Sequence, residues 1–276
     1  MRHTMIARSF RLSLWAIGLS LIVTNALRAQ EAAFSNRLQF LTADTSRVRA
    51  YWHAAKLESS RDPDSILLSV MTEVESAAQF SAPLFWKTGS GSETHPRFGI
   101  GLDSVQIRHF REQDGLKDQR LDLVVLLGHE LAHFAQGRYY SLETLADSQK
   151  ARAIEAQADI LAGMTAIWRA LAHPQRDSVV ANHEMAVMTS RMSALGTQDY
   201  DPTHHPRSEQ RMRAFSTGLL AGLQLSDIRR CSNFADQEAC NRAIAGRKNP
   251  EIADLGEDFW TWSNRLAKRI AQLDTK

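Results

Sequence analysis

The apolar positions of the chain mostly recur every three or four residues, the spacing of amphipathic helices. Residues 34–79 show this spacing and predict two helices, with Asp62 and Pro63 placed as a cap and a first-turn proline. Apolar residues alternate with small or polar ones over residues 97–107, which predicts a strand. The pattern therefore predicts a mainly α-helical protein with a small amount of sheet.

The second half of the chain predicts further helices. Residues 121–136 form the most apolar of them, with Asp118 as its cap and Gly137 as its end. Other helices are predicted over residues 141–172, over residues 177–195 and after a polar loop at residues 200–207. A C-terminal apolar stripe at helical spacing predicts a helix that packs on the rest of the protein; its residues are Leu255, Phe259, Trp262, Leu266 and Ile270.

The N-terminus predicts a secretory signal. Arg2, Arg8 and Arg11 precede a charge-free apolar run over residues 12–23, and small residues follow up to Ala29. Such a run is shorter than the roughly 20 residues that cross a bilayer as a helix. We therefore expect residues 1–29 to be a cleaved signal peptide and the protein to be periplasmic or secreted. An uncleaved membrane anchor is the alternative.

The charge of the chain excludes some partners. The whole chain has 33 basic and 31 acidic residues, but four arginines lie within the predicted signal, so the remainder has 29 basic residues and a net charge of −2. No stripe of Lys and Arg remains, and we expect no nucleic-acid partner. No later apolar segment predicts a stable membrane span. A hydrophobic fraction of 43% excludes a disordered chain.

One motif indicates metal chemistry. His129, Glu130 and His133 form an HExxH pattern within the predicted helix over residues 121–136. Residues four apart share a helix face, so both imidazoles can reach one ion while Glu130 lies beside a metal-bound water. Ten His and 14 Glu in 276 residues predict about 0.02 such patterns by chance. The alternative is two histidines that only occupy a buried helix, where their burial without partners would be costly.

A catalytic zinc site needs a third protein ligand and one open position. The chain has only two cysteines, so any metal must be bound by His and carboxylates. The candidate is Glu155, 22 residues after His133, on a helix predicted to pack antiparallel to the first, with Asp159 one turn later. This acidic pair is weak evidence by itself and gains its value from its position.

Together these residues resemble the gluzincin zinc metallopeptidases, in particular the family that contains the CAAX prenyl protease, HtpX and BepA. The HExxH and ExxAD signature of that family is matched by His129, Glu130, His133, Glu155, Ala158 and Asp159. The family also has a Ser-Thr-His-Pro loop with an arginine six residues after its histidine. That loop is matched by Thr203, His204, His205, Pro206 and Arg211. The resemblance covers about residues 97–215.

The resemblance implies a role for each matched residue. It implies one zinc ion per chain, with three protein ligands, namely His129, His133 and Glu155. Glu130 would be the general base that takes a proton from the zinc-activated water. Asp159 would orient a ligating imidazole through its other nitrogen. His205 and Arg211 would lie at the active-site rim and assist oxyanion stabilisation or substrate placement.

The resemblance also implies a fold, a mainly α compact gluzincin-like metallopeptidase domain with a small edge β-sheet. We expect this domain over residues 30–230, with a C-terminal helical segment, residues 231–276, packed on it as an appendage. The gap between His133 and Glu155 is shorter than the family usually has, which implies a more open substrate cleft. The C-terminal segment is too short for the tetratricopeptide array of BepA-like members.

The sequence thus predicts an exported zinc-dependent metalloendopeptidase acting on protein or peptide substrates in the cell envelope. A substrate could add to the strand over residues 97–107 through backbone hydrogen bonds. The alternative is a non-proteolytic zinc-containing protein with a chaperone-like or binding role. Glu130 favours the peptidase, because a purely structural zinc site needs no base beside the metal.

Two other patterns predict structural roles. Cys231 and Cys240 lie nine positions apart in a chain predicted to be exported, which favours a local disulfide, with two buried thiols as the alternative. Met185, Met188 and Met192 have helical spacing and predict filling of the core.

Overall fold

The computed structural model describes residues 64–87, 91–147, 150–172, 178–195, 206–231 and 259–271. These residues are mainly helical, with a small three-stranded sheet, as the sequence predicts. The helices are α1 (Asp64–Ala78), α2 (Ser104–Tyr139), α3 (Leu142–Ala146), α4 (Ala151–Leu171), α5 (Ser178–Ala194), α6 (Ser208–Cys231) and α7 (Phe259–Ala271). The strands are β1 (Leu84–Lys87), β2 (Glu93–His95) and β3 (Gly99–Asp103).

Several predictions fall outside the described residues. These are the signal peptide, the part of the 34–79 prediction that precedes α1, the loop histidines His204 and His205, and Cys240. The disulfide and the division of the chain at residue 230 therefore stay predictions.

The sheet has the order β1-β3-β2, so β3 is its central strand. β1 runs parallel to β3, with Leu84 opposite Ile100, and β2 runs antiparallel to it, with Thr94 opposite the same residue. The predicted strand over residues 97–107 is therefore too long, because it ends at Asp103. The Asp103 carboxylate accepts a hydrogen bond from the Val105 backbone N–H at 2.8 Å and caps α2 directly after the strand.

The α2 helix is much longer than the sequence predicts. It begins at Ser104, so Asp118 is an interior residue of the helix and not its cap. The segment over residues 108–120 is mostly polar and gives no apolar periodicity, which is why the pattern missed it. The helix also continues past Gly137 to Tyr139. Gly137 is needed for a different reason, since a Cβ atom there would lie 2.3 Å from the Cβ of Pro96.

The helix predicted over residues 141–172 is divided in two. α3 begins after Ser141, whose side chain accepts from the Thr144 backbone N–H, and it ends at Ala146, with Asp147 as its C-cap. α4 begins at Ala151. The break lets the short α3 connect α2 to a longer helix that returns along it.

α4 is the central helix and is buried on most of its surface, packing against α2, α6 and α7. The α7 stripe residues Trp262, Leu266 and Ile270 are buried against α4 and α6, as the sequence predicts. Met188 and Met192 of α5 are fully buried in the larger core. No helix among the described residues is both long enough and apolar enough to cross a bilayer.

Two glycines let α4 and α6 approach closely. A Cβ atom at Gly163 would lie 2.1 Å from the Phe215 carbonyl oxygen, and one at Gly218 would lie 2.0 Å from the Ile160 carbonyl oxygen. Backbone atoms cannot rotate away as a side chain can, so any larger residue must separate the helices.

We expect Gly218→Ala to lower the free energy of unfolding by about 1–3 kcal/mol, the usual cost of overpacking. The measurement is urea denaturation followed by circular dichroism. Gly128→Ala is the matched control, because its nearest neighbour, the Ala162 Cα, lies at an ordinary 3.4 Å. Alanine also has a higher helix propensity than glycine, so the control substitution should be neutral or stabilising. Equal midpoints for Gly218→Ala and the wild type would contradict this account of the helix contact.

Candidate metal centre

The HExxH residues lie in the buried part of α2. Residues 123–127, just before them, are at most 3% exposed, and His129 and Glu130 are 5% exposed. The one-turn separation of His129 and His133 brings their rings to a centroid distance of 4.5 Å, almost perpendicular to each other. Their Nε2 atoms are 3.0 Å apart. Both imidazoles therefore converge on one point beside the helix.

Glu155 of α4 completes a cluster of three possible ligands. One carboxylate oxygen lies 3.3 Å from Nε2 of His129, and the other lies 3.4 Å from Nε2 of His133. One ligand atom from each of the three side chains lies within 4.8 Å of the others. His129, His133 and Glu155 thus lie close enough to hold a metal ion.

The direction of α4 relative to α2 follows from these contacts. Gln136 bonds to Ile154, His133 approaches Glu155, and His129 approaches Asp159. Positions that descend along α2 meet positions that ascend along α4, so the helices are antiparallel, as the sequence predicts. This arrangement is what brings Glu155 back to both histidines.

Asp159 and Arg211 support His129 from the side opposite Glu155. The Asp159 carboxylate is fully buried and lies 2.8 Å from Nδ1 of His129. Arg211 of α6 donates to both Asp159 oxygens, from Nη2 at 2.7 Å and from Nε at 3.1 Å, and donates to the Leu195 carbonyl from Nη1. Its Nη2 also lies 3.2 Å from His129 Nδ1. Three helices therefore meet at one carboxylate.

The charges in this cluster shift its protonation. Burial and the Arg211 charge act to lower the pKa of His129, but the hydrogen bond and charge of Asp159 and the hydrogen bond of Glu155 raise it to about 9. Burial alone would raise the pKa of Asp159, yet the Arg211 charge and the hydrogen bonds from His129 and Arg211 hold it below its ordinary value. The net effect favours the charged form of His129, which lies between the carboxylates of Asp159 and Glu155.

Glu130 is held by a strand residue that the sequence does not single out. The Thr94 hydroxyl lies 2.8 Å from Oε2 of Glu130 and 2.9 Å from its backbone carbonyl oxygen, and both oxygens can accept its hydrogen bond. Thr94 belongs to β2, so the sheet contacts α2 at the candidate base. No local sequence signal identifies this residue, since it is separated from Glu130 by 36 positions.

The two residues predicted at the rim of the site, Arg211 and His205, are not both found there. Arg211, expected at the rim of the site, is 3% exposed and lies behind His129 against Asp159. His205 lies outside the described residues. The proposed pairing of a substrate with the strand over residues 97–107 is wrong in that form, because β3 already has β1 on one side and β2 on the other.

Comparison with known proteins adds nothing to the geometry: no protein-family model, no curated protein and no solved structure matches the chain.

The raised pKa of His129 predicts proton release on metal binding. A protonated imidazole cannot bind a metal, so binding below about pH 9 must displace the His129 proton, and affinity should weaken as the pH falls. At pH 7.5 we expect His129 to release about one proton per Zn²⁺ bound. Calorimetric titration in buffers of different ionisation enthalpy measures this number.

The control for proton release is Asp159→Asn. Loss of the Asp159 charge lowers the pKa of His129, so the variant should release fewer protons at pH 7.5 than the wild type. A heat of binding that does not depend on the buffer would contradict the predicted protonation of His129.

Proposed function

We propose that the protein is an exported zinc metalloendopeptidase of the gluzincin class. The observation that supports this most is the close spacing of the ligand atoms that His129, His133 and Glu155 offer. Ligands at 2.0 to 2.1 Å from a tetrahedral zinc ion are separated by about 3.3 Å. Here the two histidine Nε2 atoms are 3.0 Å apart, and each has one Glu155 oxygen at a similar distance, Oε2 at 3.3 Å from His129 and Oε1 at 3.4 Å from His133. Two histidines and one glutamate are also a ligand set used by catalytic zinc in peptidases.

His129, His133 and Glu155 would hold the ion, one per chain. When bound, zinc supplies a Lewis acid that lowers the pKa of a water molecule and polarises a peptide carbonyl. Glu130 takes the proton of the attacking water and returns it to the leaving amine. The Thr94 hydroxyl lies within hydrogen-bonding distance of Oε2 of Glu130 and would help to orient this carboxylate.

Asp159 and Arg211 act on the reaction through His129. The Asp159 carboxylate accepts from Nδ1 of His129, which directs Nε2 toward the ion. Arg211 keeps Asp159 ionised and in place through two hydrogen bonds. We therefore assign Arg211 a positioning role in place of the rim role that the resemblance implies.

The outer edge of β2 is the place where we propose that peptide substrates bind. β2 is an edge strand of the sheet, and Thr94 on this strand contacts Glu130. An extended peptide can add to such an edge through backbone hydrogen bonds, which tolerate many sequences. Protein or peptide substrates of the cell envelope would suit a protein whose first 29 residues predict an export signal.

A non-proteolytic zinc protein with a chaperone-like or binding role is the second candidate. The observation that separates the two is Glu130, a carboxylate that lies beside the cluster without being one of its three ligand residues. A binding role requires no base at this position, whereas hydrolysis does.

Glu130→Gln tests the proposed base. The amide keeps the size of the side chain but cannot accept the proton, so hydrolysis of casein or a fluorogenic peptide should fall by about 10²- to 10⁴-fold. The zinc content should stay at one per chain. Glu143→Gln, at an exposed position in α3, is the control and should retain activity. Unchanged turnover in Glu130→Gln would refute the assigned base, whereas a zinc-loaded wild type that hydrolyses neither substrate would favour the binding role.

Glu155→Ala tests the third ligand. Removal of a ligand should weaken zinc binding by more than the roughly 10- to 100-fold that loss of a supporting partner costs. Elemental analysis after dialysis should therefore give well below one zinc per chain, while Glu143→Ala retains it. Full zinc content in Glu155→Ala would show that another residue is the third ligand, with His204 and His205 the next candidates.

A further inference from the structure

His133 has a buried partner that the proposed reaction leaves unused. Its Nδ1 lies 2.8 Å from Oε1 of Gln136, one turn further along α2. The Gln136 side chain is fully buried. Its Nε2 donates to the backbone carbonyl of Ile154 at 2.9 Å and to Oε1 of Gln157, also at 2.9 Å. Both helices that carry the metal centre therefore share this one amide.

The Ile154 carbonyl decides which way the Gln136 amide faces. A backbone carbonyl can only accept a hydrogen bond, so the amide nitrogen of Gln136 must face Ile154 and its oxygen must face His133. An oxygen that only accepts requires Nδ1 of His133 to carry the proton. Nε2 of neutral His133 then has the lone pair, on the side where Glu155 and His129 lie.

A second backbone carbonyl fixes the next amide. Gln157 is 1% exposed, and its Nε2 donates to Ser263 Oγ at 2.8 Å and to the Trp260 carbonyl at 3.4 Å, both on α7. Its Oε1 is therefore free to accept from Gln136 and from the Tyr140 hydroxyl, which lies 3.0 Å away. Every donor in this chain of amides thus has an acceptor.

From these contacts we infer that Gln136 and Gln157 are positioning residues that hold His133 with Nε2 toward the metal. Because Gln157 is held by α7, that helix supports the metal centre through the two glutamines. This inference rests on the proposed metal site. The two ligating histidines are then oriented by different chemistry. A buried ion pair, Asp159 with Arg211, orients His129, while neutral amides orient His133.

Replacement of each glutamine by methionine tests the inference, because methionine has a similar length and cannot form these hydrogen bonds. We expect Gln136→Met to raise the Kd for Zn²⁺ by about 10- to 100-fold, and Gln157→Met by about tenfold. The double variant should raise the Kd by less than the product of the two single increases, because both glutamines act through one chain of contacts. Competition with a chromophoric chelator gives the Kd.

Two further variants separate positioning from general loss of stability. Gln136→Glu keeps an oxygen that accepts from His133 Nδ1, so its Kd should stay within about threefold of the wild type, although the Ile154 carbonyl and Gln157 Oε1 both lose their donor and the fold should be less stable. Gln224→Met removes a buried glutamine of α6, 13 residues and roughly 20 Å along the helix from Arg211. It should bind Zn²⁺ like the wild type. Unfolding midpoints in EDTA measure the stability of each variant without metal.

The visible absorption spectrum of Co²⁺ bound to each protein reports the geometry of the ligands. A changed spectrum and a raised Kd in Gln136→Met, both restored in Gln136→Glu, would support the inference. Wild-type affinity and an unchanged spectrum in Gln136→Met would overturn it, as would equal losses in Gln136→Met and Gln136→Glu. If the wild type binds no Zn²⁺, the proposed function fails first and the inference fails with it.

Discussion

The ionised carboxylate of Asp159 lies fully buried at the meeting point of three helices, and such a charge is tolerated only when its partners are well placed. Those partners are His129 from α2 and Arg211 from α6, both within hydrogen-bonding distance. Removal of either would leave a buried charge without full compensation. Asp159 lies on α4 and Arg211 lies on α6, so the close approach of these two helices at their glycines also supports the contact between the two side chains.

The central helix α4 explains how one element serves several purposes. Glu155 and Asp159 lie one turn apart on α4 and contact different nitrogens of His129, Nε2 and Nδ1, while Gln157 contacts α2 and α7. A helix at the surface could present only one of these faces to other elements. Burial of α4 on most sides lets it supply a ligand, support one histidine by charge and support the other by neutral hydrogen bonds.

Prediction succeeded where the information was local. The spacing of His129 and His133 required only a helix, and the distance to Glu155 required only a short connection and an antiparallel return. The predicted end of β3 and start of α2 were wrong because the residues after Asp103 continue an alternating pattern, while a single capping carboxylate decides where the strand gives way to the helix. The predicted role of Gly137 was wrong for a similar reason: its small size allows close contact with Pro96, and it does not end the helix.

The amino-acid pattern alone thus identifies the mainly helical fold, His129, His133 and the acidic Glu130 beside them, because helical periodicity relates residues a few positions apart. Glu155 is predicted from its position on the next helix and from the resemblance to the ExxAD signature. Thr94, the buried position of Arg211 and the link from Gln157 to Ser263 depend on packing between elements. Gln157 and Ser263 are 106 positions apart, and no periodicity relates side chains at that separation. Only the tertiary fold, which satisfies buried polar groups wherever helices meet, brings them together.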